Sequence, residues 1–345
     1  MTNIVKQVAG IDVAQKELVV SLGRIDQLIQ KEVYAYKTFA NKPSGFAALL
    51  LWIKKHTDGS IAVRYVMEAT GVYHEQLAYY LTEQSFEVSI VLPNKISNYL
   101  KTLETKTITD KTVSQGICQY GLERTLEMWQ RPKKIFRTLK QLTRERDQLI
   151  AERTMIKNQL HAEQAEAHPS EYSISRMNER INLINRQEKE IRSEMAENIK
   201  PDTGLIKQIA NITSIPGVGK LTAVTVLAET NGFDLIRNKK QLVSYSGLDI
   251  KEKESGTSVK GKPKISKKGN RYLRKAMHLP ALSAIRNEDR YKAIFVRLVS
   301  KHGVKMKAAV AVQRKLLELI YIIWKTNQPY SKEYLQRVSE NTNAV

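Results

Sequence analysis

Three strand-like stretches crowd the start of the chain, at Ile4 to Val13, Glu17 to Leu22 and Glu32 to Thr38, with only short turns between them. Parallel neighbours need a crossover of about a dozen residues or more, so strands this close together predict an antiparallel meander. Asn41-Lys42-Pro43-Ser44 then opens a helix through about His56, with Phe46, Leu49, Leu50 and Ile53 on one face. A strand over Ile61 to Glu68, a helix near His74 to Gln84 and a strand over Glu87 to Leu92 follow. The expected order is βββαβαβα.

That order is the one found in RNase H-like domains, where the first strand brings its acid beside the fourth and a later helix supplies more. Val8-Ala9-Gly10-Ile11-Asp12-Val13 is an apolar run with one carboxylate near its end. A carboxylate in such a strand must be hydrated, paired or metal-bound, because a bare buried charge is prohibitively costly. Glu68 closes the fourth strand, before a turn at Ala69-Thr70-Gly71-Val72-Tyr73. Asp110 follows Thr105-Lys106-Thr107-Ile108-Thr109 and opens another helix, where Asp is favoured as a cap or first-turn residue. Acids at strand ends and helix starts are common by themselves. Taken with the topology, Asp12, Glu68 and Asp110 form a candidate site for Mg²⁺ or Mn²⁺, which take oxygen ligands and clamp phosphates.

A formal net charge of +21 over 345 residues favours a polyanionic partner, and nucleic acid is the usual one. No basic amphipathic anchor, signal peptide or apolar run of about 18 residues is evident, so a cytoplasmic protein with no membrane partner is expected. The single cysteine, Cys118, excludes an intrachain disulfide and a cysteine-based zinc site.

Near residue 131 the pattern changes. Ile135, Leu142, Leu149 and Ile156 recur every seven residues, with Leu139 and Leu160 interleaved and Arg146 and Arg153 in the middle of the seam. His168-Pro169-Ser170-Glu171 breaks the run, and Ile174, Met177, Ile181, Ile184, Ile191 and Met195 continue it towards Lys200-Pro201. A long helical hairpin is predicted, packed on itself or on a second copy; its seam arginines imply a register device or a partner that also contacts nucleic acid. Further on, Ile215-Pro216-Gly217-Val218-Gly219-Lys220 has the pattern of a helix-hairpin-helix, in which Gly217, Gly219 and Lys220 would approach a phosphate. A plain connecting turn is the alternative.

The segment Lys251 to Lys275 carries ten Lys or Arg against two Glu, with Ser255-Gly256-Thr257-Ser258 in its first half. A solvated loop would account for the charge. Interleaved glycines and hydroxyls equally suit a loop that orders on phosphate, through Lys260, Lys262, Lys264, Lys267, Lys268, Arg271 and Arg274. Ser255 and Ser258 would serve as nucleophiles if these cations stabilise the charge on a phosphorane. Met306 to Lys325 is an apolar helix expected to cover this region.

These motifs together resemble the IS one-ten family of insertion-sequence transposases, also called DEDD transposases or bridge-RNA-guided recombinases. The resemblance covers nearly the whole chain: Gly10-Ile11-Asp12-Val13, Glu68-Ala69-Thr70-Gly71-Val72-Tyr73 and Pro93-Asn94-Lys95 before Asp110; then Ile215-Pro216-Gly217-Val218-Gly219, Tyr245-Ser246-Gly247-Leu248, Ser255-Gly256 and Ile265 through Arg274. One departure stands out, for the family's fourth acid would fall at position 113, which is valine here.

The resemblance implies an RNase H-like (RuvC-like) domain over 1–130, a coiled-coil hairpin over 131–202, a mainly α transposase domain over 203–330 and a tail over 331–345. It also implies a bacterial, nucleoid-associated enzyme that acts on donor and target DNA as a homodimer or homotetramer, guided by a structured noncoding RNA. Its nucleophile would be Ser255, with Ser258 in reserve, beside the Mg²⁺-binding acids Asp12, Glu68 and Asp110 of a neighbouring subunit. Two other readings use the same residues: a RuvC-like structure-selective nuclease with water as nucleophile, and a nucleic-acid-binding remnant impaired at Val113.

Overall fold

The computed structural model describes residues 4–69, 71–103, 107–234, 236–252, 254–255, 259–261 and 263–331, with backbone alone at 254, 255, 259 and 260. The chain divides into two compact units, Met1–Arg131 and Pro132–Val345.

The first unit is a five-stranded sheet with helices on both faces. β1 (Ile4–Val13), β2 (Glu17–Asp26) and β3 (Lys31–Ala40) form the meander; α1 (Pro43–His56), β4 (Val63–Glu68), α2 (Glu75–Glu83), β5 (Glu87–Val91), α3 (Pro93–Leu100) and α4 (Asp110–Glu123) follow. The sheet order is β3-β2-β1-β4-β5, with β2 antiparallel to β1 and β3, and β4 parallel to β1 and β5. This is the RNase H-like arrangement expected from the order of strands and helices. Helix α3 is additional to the expected elements, and β2 continues past Leu22 through a register shift after that residue.

Alternation along the strands sorts the two faces. Ala9, Ile11, Tyr65 and Met67 pack under Phe46, Leu49, Leu77 and Leu81 of α1 and α2, while Val8, Val66 and Val91 pack under Ile117, Cys118 and Leu122 of α4. Each such fully buried aliphatic side chain contributes about 1.5–3 kcal/mol. Helix α4 lies unusually close to β1. A Cβ added at Gly10 would stand 2.3 Å from the Cys118 nitrogen, and one at Gly121 would meet Val8 Cγ1 at 2.8 Å.

The second unit is helical apart from two small ribbons. Helices α5 (Lys134–Gln164) and α6 (Glu171–Ile199) form the expected hairpin, and the 31 residues of α5 make an arm about 46 Å long at 1.5 Å per residue. Ile156, Ile181 and Ile184 seal its outer part. The seam arginines share an acidic partner inside the hairpin: Arg146 and Arg153 both donate to Glu188, at 2.6 and 2.7 Å.

At its base the hairpin joins a larger core. Phe136, Leu139, Leu142, Ile191, Met195 and Ile199 pack with α7 (Thr203–Thr213), α8 (Lys220–Glu229), α9 (Lys239–Ser246) and the later helices α10 (Arg271–Ala276), α11 (His278–Asn287), α12 (Asp289–His302) and α13 (Lys305–Thr326). Helix α13 is central to this core rather than a cover, with Val312, Leu316, Leu317, Ile320 and Ile323 all buried. No helix among the described residues is long and apolar enough to cross a membrane.

The basic segment is a ribbon instead of an open loop. β6 (Ile250–Lys251) pairs with β9 (Lys264–Ile265), and β7 (Glu254–Ser255) with β8 (Val259–Lys260), both antiparallel and one residue out of register with each other.

Candidate active site

Ile11 of β1 lies opposite Met67 of β4 in parallel register. One step further along both strands, Asp12 and Glu68 emerge side by side, on the face that α4 covers. Helix α4 begins at Asp110 because Thr109 caps it: the Thr112 N–H donates to Thr109 Oγ1 at 3.3 Å, and the Thr109 N–H donates to Thr112 Oγ1 at 2.8 Å. Asp110 thus occupies a first turn whose free N–H groups favour negative charge.

Asp12 feels both of the other acids. Burial, then the charges of Asp110 and Glu68, raise the Asp12 carboxyl to about 6, against a smaller opposing effect of the Val13 N–H. A cleft of about 530 Å³ is lined by Asp12, Glu68, Asn94, Ser97, Lys101 and Val113, with Asp110 outside its lining. Asn94 and Ser97 come from α3, whose start the motif Pro93-Asn94-Lys95 marks. Val113 stands one turn after Asp110 and faces this cleft, where a fourth carboxylate would have added a ligand.

Among the described residues no three Asp, Glu, His or Cys side chains are drawn together tightly enough to chelate an ion. Fit to a divalent cation rests on the donor set and its charge. Carboxylate oxygens at an open cleft suit a hard cation, which would offset the burial and like-charge repulsion that raise the Asp12 carboxyl.

Ser255 lies in β7, its backbone paired with Val259 of β8. Ser258 and Lys262 lie outside the described residues, and of Lys260 only the backbone is described. Lys264, Lys267, Lys268 and Arg271 are exposed along or just beyond the ribbon. Arg274 instead braces the fold, since its Nη1 donates to the carbonyls of Ser246 at 2.7 Å and Gly269 at 3.1 Å. At the start of α8, the cap residue Gly219 and the first helical residue Lys220 are exposed. Gly217 is required by packing: its φ is +85°, and an added Cβ would approach the Pro280 oxygen of α11 to 3.0 Å.

Sequence reasoning missed the knot that anchors the ribbon. Glu229, at the end of α8 and 2% exposed, accepts from Arg144 Nε at 2.7 Å, Arg144 Nη2 at 2.9 Å and Asn270 Nδ2 at 2.6 Å. Asn270 also caps α10, accepting from the Tyr272 and Leu273 N–H groups. A Cβ added at Gly269 would meet the Gly247 nitrogen at 2.5 Å, so the segments Tyr245-Ser246-Gly247 and Gly269-Asn270 interlock at backbone contact. An acid ending an otherwise apolar helix, Val226-Leu227-Ala228-Glu229, was the available signal.

Comparisons with known proteins agree along the chain. A family model described as "Transposase IS116/IS110/IS902 family" matches residues 209–295, and a DEDD transposase model matches residues 9–169. The pilin gene-inverting protein of Moraxella bovis is 31% identical over 303 residues, covering 86% of this chain and 90% of that protein. The transposase for insertion sequence element IS1111A of Coxiella burnetii is 22% identical over 294 residues, covering 77% and 78%. Among solved structures, Thermus thermophilus RuvC in complex with a Holliday junction substrate matches with a TM-score of 0.28 and 10% identity, covering 36% of this chain and 99% of that one.

Proposed function

Given that this chain belongs to the IS116/IS110/IS902 family of transposases and is thus a DNA transposase or recombinase, we propose that it exchanges strands through a serine-linked intermediate supported by a divalent metal. Asp12, Glu68 and Asp110 would hold Mg²⁺ or Mn²⁺. When bound, the cation supplies Lewis-acid stabilisation of charge on the phosphoryl oxygens. The observation that carries this reading is the placement of Asp12 and Glu68 at an open cleft, where burial and then the charges of Asp110 and Glu68 raise the Asp12 carboxyl to about 6.

Ser255 is the nucleophile and Ser258 the reserve. The serine oxygen attacks phosphorus as its hydroxyl proton leaves; an O–P bond forms, the P–O bond to the departing deoxyribose oxygen breaks, and that oxygen takes up a proton. Exchange completes when a deoxyribose hydroxyl from the second DNA reverses the step. Lys264, Lys267, Lys268 and Arg271, with Lys260 and Lys262, neutralise the strand, and Gly219 and Lys220 make sequence-independent backbone contacts. An element-encoded structured RNA selects donor and target DNA, and the working assembly is a homodimer or homotetramer.

The test is to incubate purified protein and its co-purifying RNA with element-junction DNA, with and without Mg²⁺, and to resolve protein–DNA adducts on a denaturing gel. A metal-dependent adduct is expected, lost in Ser255→Ala. An adduct of normal yield in that variant would move the nucleophile elsewhere, and cleavage without an adduct would identify a RuvC-like nuclease. Val113 in the cleft wall favours one alternative, a binding protein with an impaired site. That alternative predicts DNA and RNA binding indifferent to chelation of Mg²⁺, with both nucleic acids left intact.

A further inference from the structure

A cavity of about 330 Å³ lies within the second unit, among α5, α8, α10 and α11, and no step proposed above uses it. Ile150, Leu221, Leu279 and Pro280 give it apolar walls, and Arg146 and Lys275 bring charge. Tyr272 adds an aromatic wall, with the guanidiniums of Arg144 and Arg271 at 4.4 and 4.8 Å from its ring centre.

The charge around this cavity is unbalanced. Arg146, Arg153 and Arg192 all donate to Glu188, so three guanidiniums share one carboxylate. The remaining charged pairs cancel, Lys275 with Asp147 and Arg144 with Glu229. Arg146 Nε is also buried with no hydrogen-bond partner among the described residues. A buried unmet donor beside surplus positive charge calls for an anionic acceptor, while the apolar and aromatic walls call for a flat, weakly polar body.

We infer that this cavity binds a single nucleotide, its phosphate at Arg146 and its base against the apolar walls. The volume is at the small end for ligand pockets, enough for one nucleotide and far too little for a duplex. Two sources share this chemistry, a free mononucleotide and a nucleotide extruded from bound nucleic acid. Only the second rests on the nucleic-acid reading above.

The test titrates the full chain with AMP and, separately, inorganic phosphate, following thermal unfolding. Two variants accompany it: Thr222→Tyr, which fills the cavity from α8, and Lys275→Gln at its rim. AMP is expected to raise the melting temperature saturably and phosphate more weakly. Thr222→Tyr is expected to weaken AMP at least about ten-fold while still melting cooperatively, and Lys275→Gln to weaken it several-fold. A 2-aminopurine-labelled oligonucleotide distinguishes the sources. Brightening in the unaltered protein that disappears in Thr222→Tyr assigns the nucleotide to the bound strand; AMP stabilisation without brightening assigns it to the free pool. Absence of any AMP response together with absence of variant-sensitive brightening would overturn the inference, whatever the Ser255 adduct assay shows. Should Thr222→Tyr fail to fold, Lys275→Gln decides: unchanged AMP affinity in that variant would count against the site.

Discussion

Asp12 shows how position on a strand sets the chemistry of a residue. Its carboxyl is raised to about 6 by burial and by Asp110 and Glu68, so the folded chain holds that proton more tightly than the unfolded chain does. Between its ordinary value near 3.8 and about 6, charging Asp12 therefore costs folding stability, and a cation bound there would offset that cost by replacing the proton. Mn²⁺ titrated calorimetrically should bind about ten-fold more weakly at pH 5 than at pH 7 through this one group. An affinity independent of pH over that range would remove Asp12 from the cation site. The acid itself was legible in the sequence, because alternation along an apolar strand singles it out. Gly10 was legible only as part of a motif. Its reason, contact with the Cys118 backbone on α4, joins positions far apart in the chain, and local pattern carries no such distance. The same holds for Gly217 and Arg274, read as phosphate contacts from their neighbours but placed by φ, by helix α11 and by two carbonyls.

At the scale of elements, spacing was the most informative signal. Short turns between the first three strands dictated the meander, and heptads dictated the hairpin, because both are local periodicities. What spacing left out was the partner of each polar residue in the seam. Arg146, Arg153 and Arg192 converge on Glu188, whose carboxyl is driven up by burial but further down by these guanidiniums, to about 2. This stabilisation is complete above the ordinary glutamate value of 4.5 and is lost as pH falls from there towards 2. Glu188→Gln should destabilise the second unit by about 2–4 kcal/mol, below the full value for a buried pair because the guanidiniums are partly exposed. Urea unfolding measures it; a change near zero at pH 7 would mean the four-residue cluster sets register without adding stability. The ribbon around Ser255 escaped the sequence reading because its pairs are short and rich in Lys, which strand propensity disfavours. The Glu229 and Asn270 knot at its base, formed by residues 41 positions apart, holds it.

For the whole molecule, Asp12 and Ser255 belong to different compact units. A reaction that needs both is open to supply from two subunits. If the acids of one protomer serve the serine of its partner, Asp12→Asn and Ser255→Ala proteins, each inactive alone, should complement when co-assembled. The direct measurement is protein–DNA adduct yield on a denaturing gel, in Mg²⁺, for each variant and for the co-expressed pair. The expected result is no adduct from either variant alone and a recovered, Mg²⁺-dependent adduct from the pair, linked through the Ser255 that the Asp12→Asn chain retains. Normal adduct yield from either variant alone would contradict the account.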